Sequence, residues 1–525
     1  MTLLDILEQR VKENKNTTAY IYRDQKISYE AINRDIDSLA ATLANSGIKA
    51  GDCFAICLRN SPEFIITWFA LAKLGAIAVH INFLVSEEEI NYILKDSGSK
   101  GIVTQKEFAA KVRNAALATN AKWILLSDDA SKTGSGSAFS AALEKGRDKA
   151  FPRAQPQTDT PVAILYTSGT TGKSKGAVLT HGNLASNAQS ALNHLNLRNR
   201  GEVMLCILPM FHIFAWTALV ISGIFLASPV VIVESITPPK PWLKMMAKWR
   251  VTLFAAVPPI YHVLGKEAKG FKRLILKYIF FRTVRNCISG AAPLPIDTLK
   301  TFESKFGKPI LEGYGLTETS PCISINSRKL KKAGSVGTAI DGVTIKIIDE
   351  QGNALPQGQE GEICVQGPNV MQGYFNLPQE TRETFTGDGY FKTGDIGKLD
   401  EEGFLYILDR KKDMISIKGL KVYPAQIEEI ILRHRDVAEA AVIGIPVEGG
   451  DEIIKAYVAP KKGKKLNKAD ISQLLQKNLP PYKRPREIEI RAELPKNALQ
   501  KILKRELRKE AIEKSKKEQP AHAAI

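Results

Sequence analysis

VMLCILP (203–209), HIFAWTALVISGIFLA (212–227), PVVIVE (229–234), PWLKMMAKWR (241–250), VTLFAAVP (251–258), PPIYHVLG (258–265), RNCISG (285–290), LPIDTLKTFESKFG (294–307) and PILEGYG (309–315) alternate between strand and helix in character. The strand segments are short and apolar throughout, and the helical ones are long enough to cross back over a sheet. That combination predicts a parallel sheet covered on both faces, and hence an α/β fold. In such sheets ligands bind beyond the carboxyl ends of the strands. Pro209-Met210-Phe211-His212, Pro258-Pro259, Gly290-Ala291-Ala292 and Gly313-Tyr314-Gly315 sit at four of those ends. They are expected to form one crevice.

Working outward, the same α/β texture recurs upstream in DCFAICL (52–58), EFIITWFALAKLG (63–75) and AIAVHI (76–81). Residues 132–146 are rich in Ser, Gly and Ala and read as a surface loop. Downstream, VTIKIID, GEICVQG and GFLYILD are short strands between Gly turns, which suggests a small antiparallel sheet or barrel. A charged link follows, and then a smaller α+β unit from AAVIGIP to EIEIRAEL. The expected organisation is a large domain over 1–409, holding two parallel-sheet subdomains and a barrel-like one. A small mobile domain over 410–525 follows, with a basic tail after about residue 508.

The 525 residues carry a formal charge of +18. About ten of the surplus charges lie beyond Arg410, in runs such as KKGKK and KILKRELRKE. A polyanionic ligand or an anionic membrane surface would suit them, and so would plain solvation. Nucleic acid is not expected, because no aromatic residues interleave with the basic runs. The six cysteines are scattered and form no CxxC pair, which argues against a zinc site or a disulfide frame and fits a reducing, cytoplasmic setting. Residues 216–233 are uncharged and imitate a membrane span. Ser228-Pro229 interrupts them, so a buried helix and a core strand are expected instead.

YTSGTTGKSKG (166–176) follows the strand VAIL. Small and hydroxyl residues at that density allow a tight loop whose N–H groups wrap a polyphosphate, with Lys173 and Lys175 supplying charge. It is not a Walker A loop, because the position of that motif's first glycine is Thr167.

With this loop, LPMFHIFAW, EGYGLTETSP, YFKTGDIG, LDRKKDMISIKGLKVYPAQIEE and LPKNALQK occur in one order. In that order they resemble the adenylate-forming superfamily, and most of all its long-chain fatty acid:CoA ligases. The resemblance implies an ATP site from Thr167, Ser168, Gly169, Thr170, Thr171, Gly172 and Lys175, then Gly290, Ala291 and Ala292 against the base. Glu312, Gly313, Tyr314, Gly315 and Thr317 continue that site, with Tyr314 stacking on adenine. Asp395 and Arg410 would hold the ribose, and Glu318 would hold Mg²⁺. Lys501, Thr317, Glu318 and His212 are the implied catalytic residues, with Lys501 approaching carboxylate and α-phosphate. Lys412 matches the hinge, and Lys418 and Gly419 border the path of CoA. Taken one at a time, Tyr314 could be core, Asp395 a turn residue, Arg410 a surface charge and Lys501 one tail lysine among many. The chain departs from the family pattern at Gln500, Ser174 and Gln426, where Gly, Pro and Glu are usual.

His212 stands where amino-acid adenylation domains carry an aspartate, so a free amino acid is not the expected substrate. Trp216 resembles a gate at the mouth of an acyl tunnel, although plain helix packing explains it almost as well. His212, Trp216 and Gly315 make the expected acyl pocket. A medium- or long-chain fatty acid is favoured, an aryl acid comes second, and an acyl carrier protein in place of CoA stays open. So do a homodimer, loose contact with the inner face of a membrane, and a non-catalytic binding protein on the same fold.

Overall fold

The strand Leu253–Ala256 is buried at every residue and has parallel neighbours on both sides. It lies in a nine-stranded sheet of order Thr338–Ala339, Cys322–Ile325, Ile310–Gly315, Asn286–Ser289, Leu253–Ala256, Met204–Cys206, Val230–Ile232, Thr18–Tyr22 and Gln25–Ser28. The six inner strands pair in parallel and the outer ones antiparallel. A backbone with no water on either face needs this ladder to satisfy its N–H and C=O groups, and Met204–Cys206, Val230–Ile232 and Leu253–Ala256 are apolar and buried at every residue. The crossover helices show why they cover it. Ile296–Phe306 buries Leu299, Phe302 and Phe306 on one stripe and stops at Gly307, whose φ of 66° closes the helix.

The computed structural model describes residues 1–119, 123–126, 137–167, 173–197, 201–417, 420–447, 452–496 and 502–518. The chain forms two compact units, Met1–Ile345 with Val365–Phe391, and Lys346–Cys364 with Lys392–Ile525.

The first unit holds the nine-stranded sheet and an eight-stranded one, ordered Gly373–Tyr374, Lys175–Thr180, Pro161–Thr167, Ile77–His80, Cys53–Cys57, Gly101–Thr104, Trp123–Leu126 and Ser137–Ala138. From Pro161–Thr167 onward its strands are parallel. The apolar run after His212 is a buried helix, Ile213–Phe225, with a π turn over Trp216–Ile221, and the core strand Val230–Ile232 follows it. No helix among the described residues is long and apolar enough to cross a membrane.

The loop expected to end at Gly146 is overturned in its second half, because Phe139–Gly146 is a helix. Phe139 and Ala142 are buried, and Thr42 Oγ1 donates to the Ala142 carbonyl at 2.6 Å. A Cβ at Gly146 would stand 1.9 Å from the Ser38 carbonyl oxygen. The glycine that reads as loop punctuation is there for close helix packing.

In the second unit a four-stranded sheet uses Thr344–Ile348, Gly361–Gln366, Phe391–Leu399 and Leu405–Arg410. A three-stranded sheet follows, in which Val437–Pro446 pairs antiparallel with Glu452–Pro460, and the latter in parallel with Glu487–Ile490. Helices Pro424–Leu432 and Lys468–Asn478 contribute Ile427, Ile431, Ile471 and Leu475 to a core with Val442, Ala456 and Val458. Lys504–Glu518 covers other residues of the same strands through Leu507 and Ala511.

Candidate functional site

Met204–Cys206, Leu253–Ala256, Asn286–Ser289 and Ile310–Gly315 are consecutive neighbours in the first unit's sheet. Their carboxyl ends therefore line up, and the four segments singled out in the sequence fall in one row. Local bonds shape the row. Buried Asn60 donates Nδ2 to the Leu208 and Val233 carbonyls at 2.8 and 3.0 Å, and its Oδ1 accepts from the Met210 N–H at 2.7 Å. This sets the exit of the chain toward His212. Gly290 has Phe214 ring carbons 3.4 Å from where a Cβ would be, and Ala291 takes a φ of 67°, sterically costly for a residue with a Cβ. Glu312 is 8% exposed, and its Oε1 accepts from the Leu294 N–H at 2.9 Å. It thereby ties the Gly290–Leu294 loop to its strand, and burial pushes its carboxyl up to about 7.

The stem of the expected phosphate loop is the antiparallel pair Pro161–Thr167 and Lys175–Thr180, with Tyr166 opposite Gly176 and Thr167 opposite Lys175. Ser168, Gly169, Thr170, Thr171 and Gly172 lie outside the described residues. Gly176 is required, since a Cβ would meet Ile164 Cγ2 at 2.7 Å. Ser174, where the family usually has Pro, is held by other means. Its Oγ donates to Glu89 at 2.7 Å, and its carbonyl accepts from Tyr92 OH at 2.9 Å.

Glu318 faces this stem from the short helix Thr317–Thr319, buried to 8% exposure. Its Oε1 accepts from Thr167 Oγ1 at 3.3 Å and from Tyr374 OH at 3.0 Å. Burial, and then the Glu318 charge, push the Tyr374 phenol well above its usual range, so it stays a donor. Lys175 Nζ sits over the Tyr374 ring, 5.3 Å from its centroid. Two buried amides clamp the segment. Asn369 Nδ2 donates to the Thr319 carbonyl at 2.9 Å, and Asn187 donates to and accepts from the backbone of Cys322 at 2.7 and 3.1 Å. Among the described residues no ion pair reaches Glu318, and no cluster of three metal-ligating side chains forms anywhere. One hard carboxylate beside hydroxyls, at the mouth of a polyphosphate loop, fits Mg²⁺, which keeps waters and takes the rest of its ligands from phosphate.

His212 opens its helix, its Nδ1 accepting from the Phe214 N–H at 3.3 Å. Trp216 is fully buried among Phe64, Trp68 and His80, at centroid distances of 5.3, 5.0 and 5.7 Å. Burial pushes His80 down to about 4, and its Nδ1 donates to the Phe211 carbonyl at 3.2 Å. A Cβ at Gly315 would stand 1.7 Å from the Pro321 carbonyl oxygen, so backbone crossing accounts for that glycine. Thr317 and Gly313 lie on the same strand-to-helix passage, and Tyr314 is opposite Ser324 in the ladder.

In the second unit Asp395 and Arg410 are direct cross-strand partners, with Arg410 Nε 3.6 Å from Asp395 Oδ1. Asp395 is buried and the Arg410 side chain is partly exposed. Lys412 follows on a short turn of helix, its pKa lowered by burial and next by Arg410. Lys418, Gly419 and Lys501 lie outside the described residues. Lys496 and Ile502 form an antiparallel bridge on either side of the segment that carries Lys501.

Asn60, Asn187, Asn369 and Tyr374 escape sequence reasoning. Their signal is faint, since a polar residue in an apolar helix or a Gly-rich turn reads as surface until its carbonyl partners are known.

The geometry agrees with the comparisons. A family model described as AMP-binding enzyme matches residues 7–375, and one described as AMP-binding enzyme C-terminal domain matches residues 426–501. The long-chain-fatty-acid–CoA ligase of Bacillus subtilis (strain 168) is 33% identical, over 98% of this chain and 95% of that protein. The 4-coumarate–CoA ligase 2 of Nicotiana tabacum is 32% identical, over 94% and 90%. The crystal structure of ATP-bound MatB from Rhodopseudomonas palustris superposes with a TM-score of 0.87 at 30% identity, covering 98% of this chain and 99% of that one. With six ordered motifs, a matching fold and full-length relatives, the chain belongs to the AMP-binding, adenylate-forming enzymes, in their acid:CoA ligase branch.

Proposed function

We propose that this acid:CoA ligase acts on a medium- or long-chain fatty acid. Its reactants are the acid, ATP with Mg²⁺, and CoA. In the first half-reaction a carboxylate oxygen attacks the α-phosphorus and pyrophosphate leaves. In the second, the CoA sulfur attacks the acyl carbon and AMP leaves. The observation that carries the reading is Glu318, buried beside Thr167 at the stem of the phosphate loop with hydroxyl donors for partners. Bound there, Mg²⁺ would neutralise phosphate charge. Lys175 and the loop N–H groups would hold the triphosphate, Tyr314 and the Gly290–Ala292 segment the base, and Asp395 with Arg410 the ribose. Thr317 would approach the α-phosphate and Lys501 the developing negative charge, while Lys412 would serve as hinge and Lys418 and Gly419 as the wall of the CoA path. The fatty acid is supported by the Bacillus relative and by the apolar helix after His212. An aryl acid is the second reading, favoured by the nearly equal identity to the coumarate ligase. We place the chain in the cytoplasm, in loose contact with an anionic membrane face.

Pyrophosphate release across a panel of alkyl and aryl acids, with and without CoA, tests this directly. Release with alkyl acids and thioester only with CoA is expected. Absence of release with every acid in the panel would restore the non-catalytic alternative. Trp216→Ala sharpens the acyl reading. Its burial predicts a loss of about 3–5 kcal/mol of stability, and an unchanged chain-length profile would leave Trp216 a packing residue alone.

A further inference from the structure

The segment GFKRLILKYIF continues from an α-helix, Gly270–Ile275, into a π turn, Leu276–Phe280. Its inner side is anchored. Leu276 is 4% exposed, and Phe281 just beyond is fully buried against Phe254 and Phe306, at 5.4 and 4.9 Å between centroids. Its outer side is apolar. Phe271 is 76% exposed, Leu274 43%, Tyr278 58% and Ile279 54%. Scattered apolar residues on a surface need no explanation, but four on one face of a single helical segment do. Between residues 263 and 282 the basic side chains are Lys266, Lys269, Lys272, Arg273, Lys277 and Arg282, and the one acid, Glu267, pairs with Lys272. Lys277 Nζ also lies over the Tyr278 ring, 5.2 Å from its centroid.

An apolar strip edged by lysine and arginine, with Phe271 near one end and Tyr278 near the other, and lying on a folded unit, has the form of an interfacial helix. We propose that residues 270–280 are the surface by which the protein rests on an anionic membrane, with Phe271, Leu274, Tyr278 and Ile279 entering the acyl boundary. Their basic neighbours would pair with acidic headgroups. Self-association through the same face is disfavoured by charge, because an isologous contact would set these cations against one another. The inference locates the membrane contact of the preceding section away from the basic C-terminal runs. Its test is read without substrate, so it stands or falls apart from the identity of the acid.

The test is sedimentation of the full chain with vesicles of phosphatidylcholine, alone or containing phosphatidylglycerol, at low and high salt. Wild-type protein should bind the anionic vesicles and be released as salt rises. Phe271→Ser with Tyr278→Ser and Ile279→Ser should weaken binding on the order of tenfold or more, and Lys269→Gln with Arg273→Gln should weaken it and flatten the salt dependence. Lys462→Gln with Lys464→Gln and Lys465→Gln, in the C-terminal run, should change it much less. Unaltered thermal melting checks that each variant is folded. Equal binding by the helix variants, no binding by wild type, or loss of a wild-type dimer on serine substitution would each overturn the proposal.

Discussion

The stem of the expected phosphate loop in the first unit and the ion pairs of the second handle charge in opposite ways. At the stem, Glu318 is satisfied by two hydroxyls, and the carbonyl of the neighbouring Thr319 is clamped by neutral amides. In the second unit buried or partly buried charges meet partners of opposite sign, some of them exposed. Lys504 lies 2.7 Å from Glu428, Lys411 2.7 Å from Glu362, and Lys455 2.8 and 2.9 Å from Glu487 and Glu489. A paired charge is a finished structural element. A carboxylate held by neutral donors in a low-dielectric recess still attracts a cation, which suits the metal role proposed for Glu318.

Breaking a finished pair should have the largest effect. Burial alone would push Lys504 down, but Glu428 and Asp409 carry its pKa above the usual lysine value. Lys504→Met leaves Glu428 without its partner and should cost about 3–5 kcal/mol in denaturant unfolding. Adding Glu428→Leu should recover most of that loss. A single and double variant of equal stability would show that the pair is not a stabilising unit.

At the stem the expected loss is of activity and not of fold. Glu318→Gln keeps the acceptor for Thr167 and Tyr374 but removes the charge. Pyrophosphate release should fall by about 10²–10³ with little change in melting. Tyr374→Phe removes one neutral donor from Glu318 and should cost about tenfold or less. Equal losses from both variants would mean that the hydrogen-bond frame, and not the carboxylate charge, is what matters.

The role proposed for Lys501 can be tested on the two half-reactions separately. Lys501→Ala should slow adenylate formation by about 10²–10³ and leave thioester formation from preformed acyl-adenylate near normal. Equal damage to both halves would remove the role proposed for Lys501 in adenylate formation alone and direct attention to Gln500.

Glu312 sharpens the comparison most finely, since it is a carboxyl in the first unit that burial holds neutral up to about pH 7. Below the ordinary carboxyl value both folded and unfolded states keep the proton, and burial costs nothing extra. Between about 4.5 and 7 only the unfolded chain gives it up, so this contribution to stability declines as pH rises through that window. Glu312→Gln keeps the acceptor for the Leu294 N–H and has no proton to lose. Relative to wild type it should gain about 2 kcal/mol between pH 5 and pH 8, read as the difference in melting temperature. A pH-independent difference would place Glu312 in a wetter environment than its burial indicates.

Much of the site was legible because its chemistry resides in contiguous words. YTSGTTGKSKG and EGYGLTETSP state hydroxyls, a lysine and a carboxylate at fixed spacing, and the structure brings Thr167 and Glu318 together across 151 positions of sequence. Asp395 and Arg410 were legible one by one, and their cross-strand pairing is a matter of register. Trp216 and Gly315 carry a different lesson. Their expected place in an acyl pocket comes from the resemblance, and the sequence does not state what surrounds them. In space one is enclosed by Phe64, Trp68 and His80, and the other makes way for the Pro321 carbonyl. Residues 139–146 look like a loop by composition and form a helix, because Phe139, Ala142 and Gly146 fit the helix Tyr29–Asn45.

By itself the sequence determined the α/β class, the row of strand ends and the order of the reactive motifs. Strand apolarity, helix length and motif spacing are local properties that need no partner. Tertiary structure alone decided that Tyr374 donates to Glu318, that Asn60, Asn187 and Asn369 set the loops, and that Glu312 stays protonated toward neutrality. It also decided which face of the 270–280 helix meets solvent. Each of these depends on what the fold excludes from water and which distant backbone it brings within hydrogen-bond reach, and no local pattern contains that.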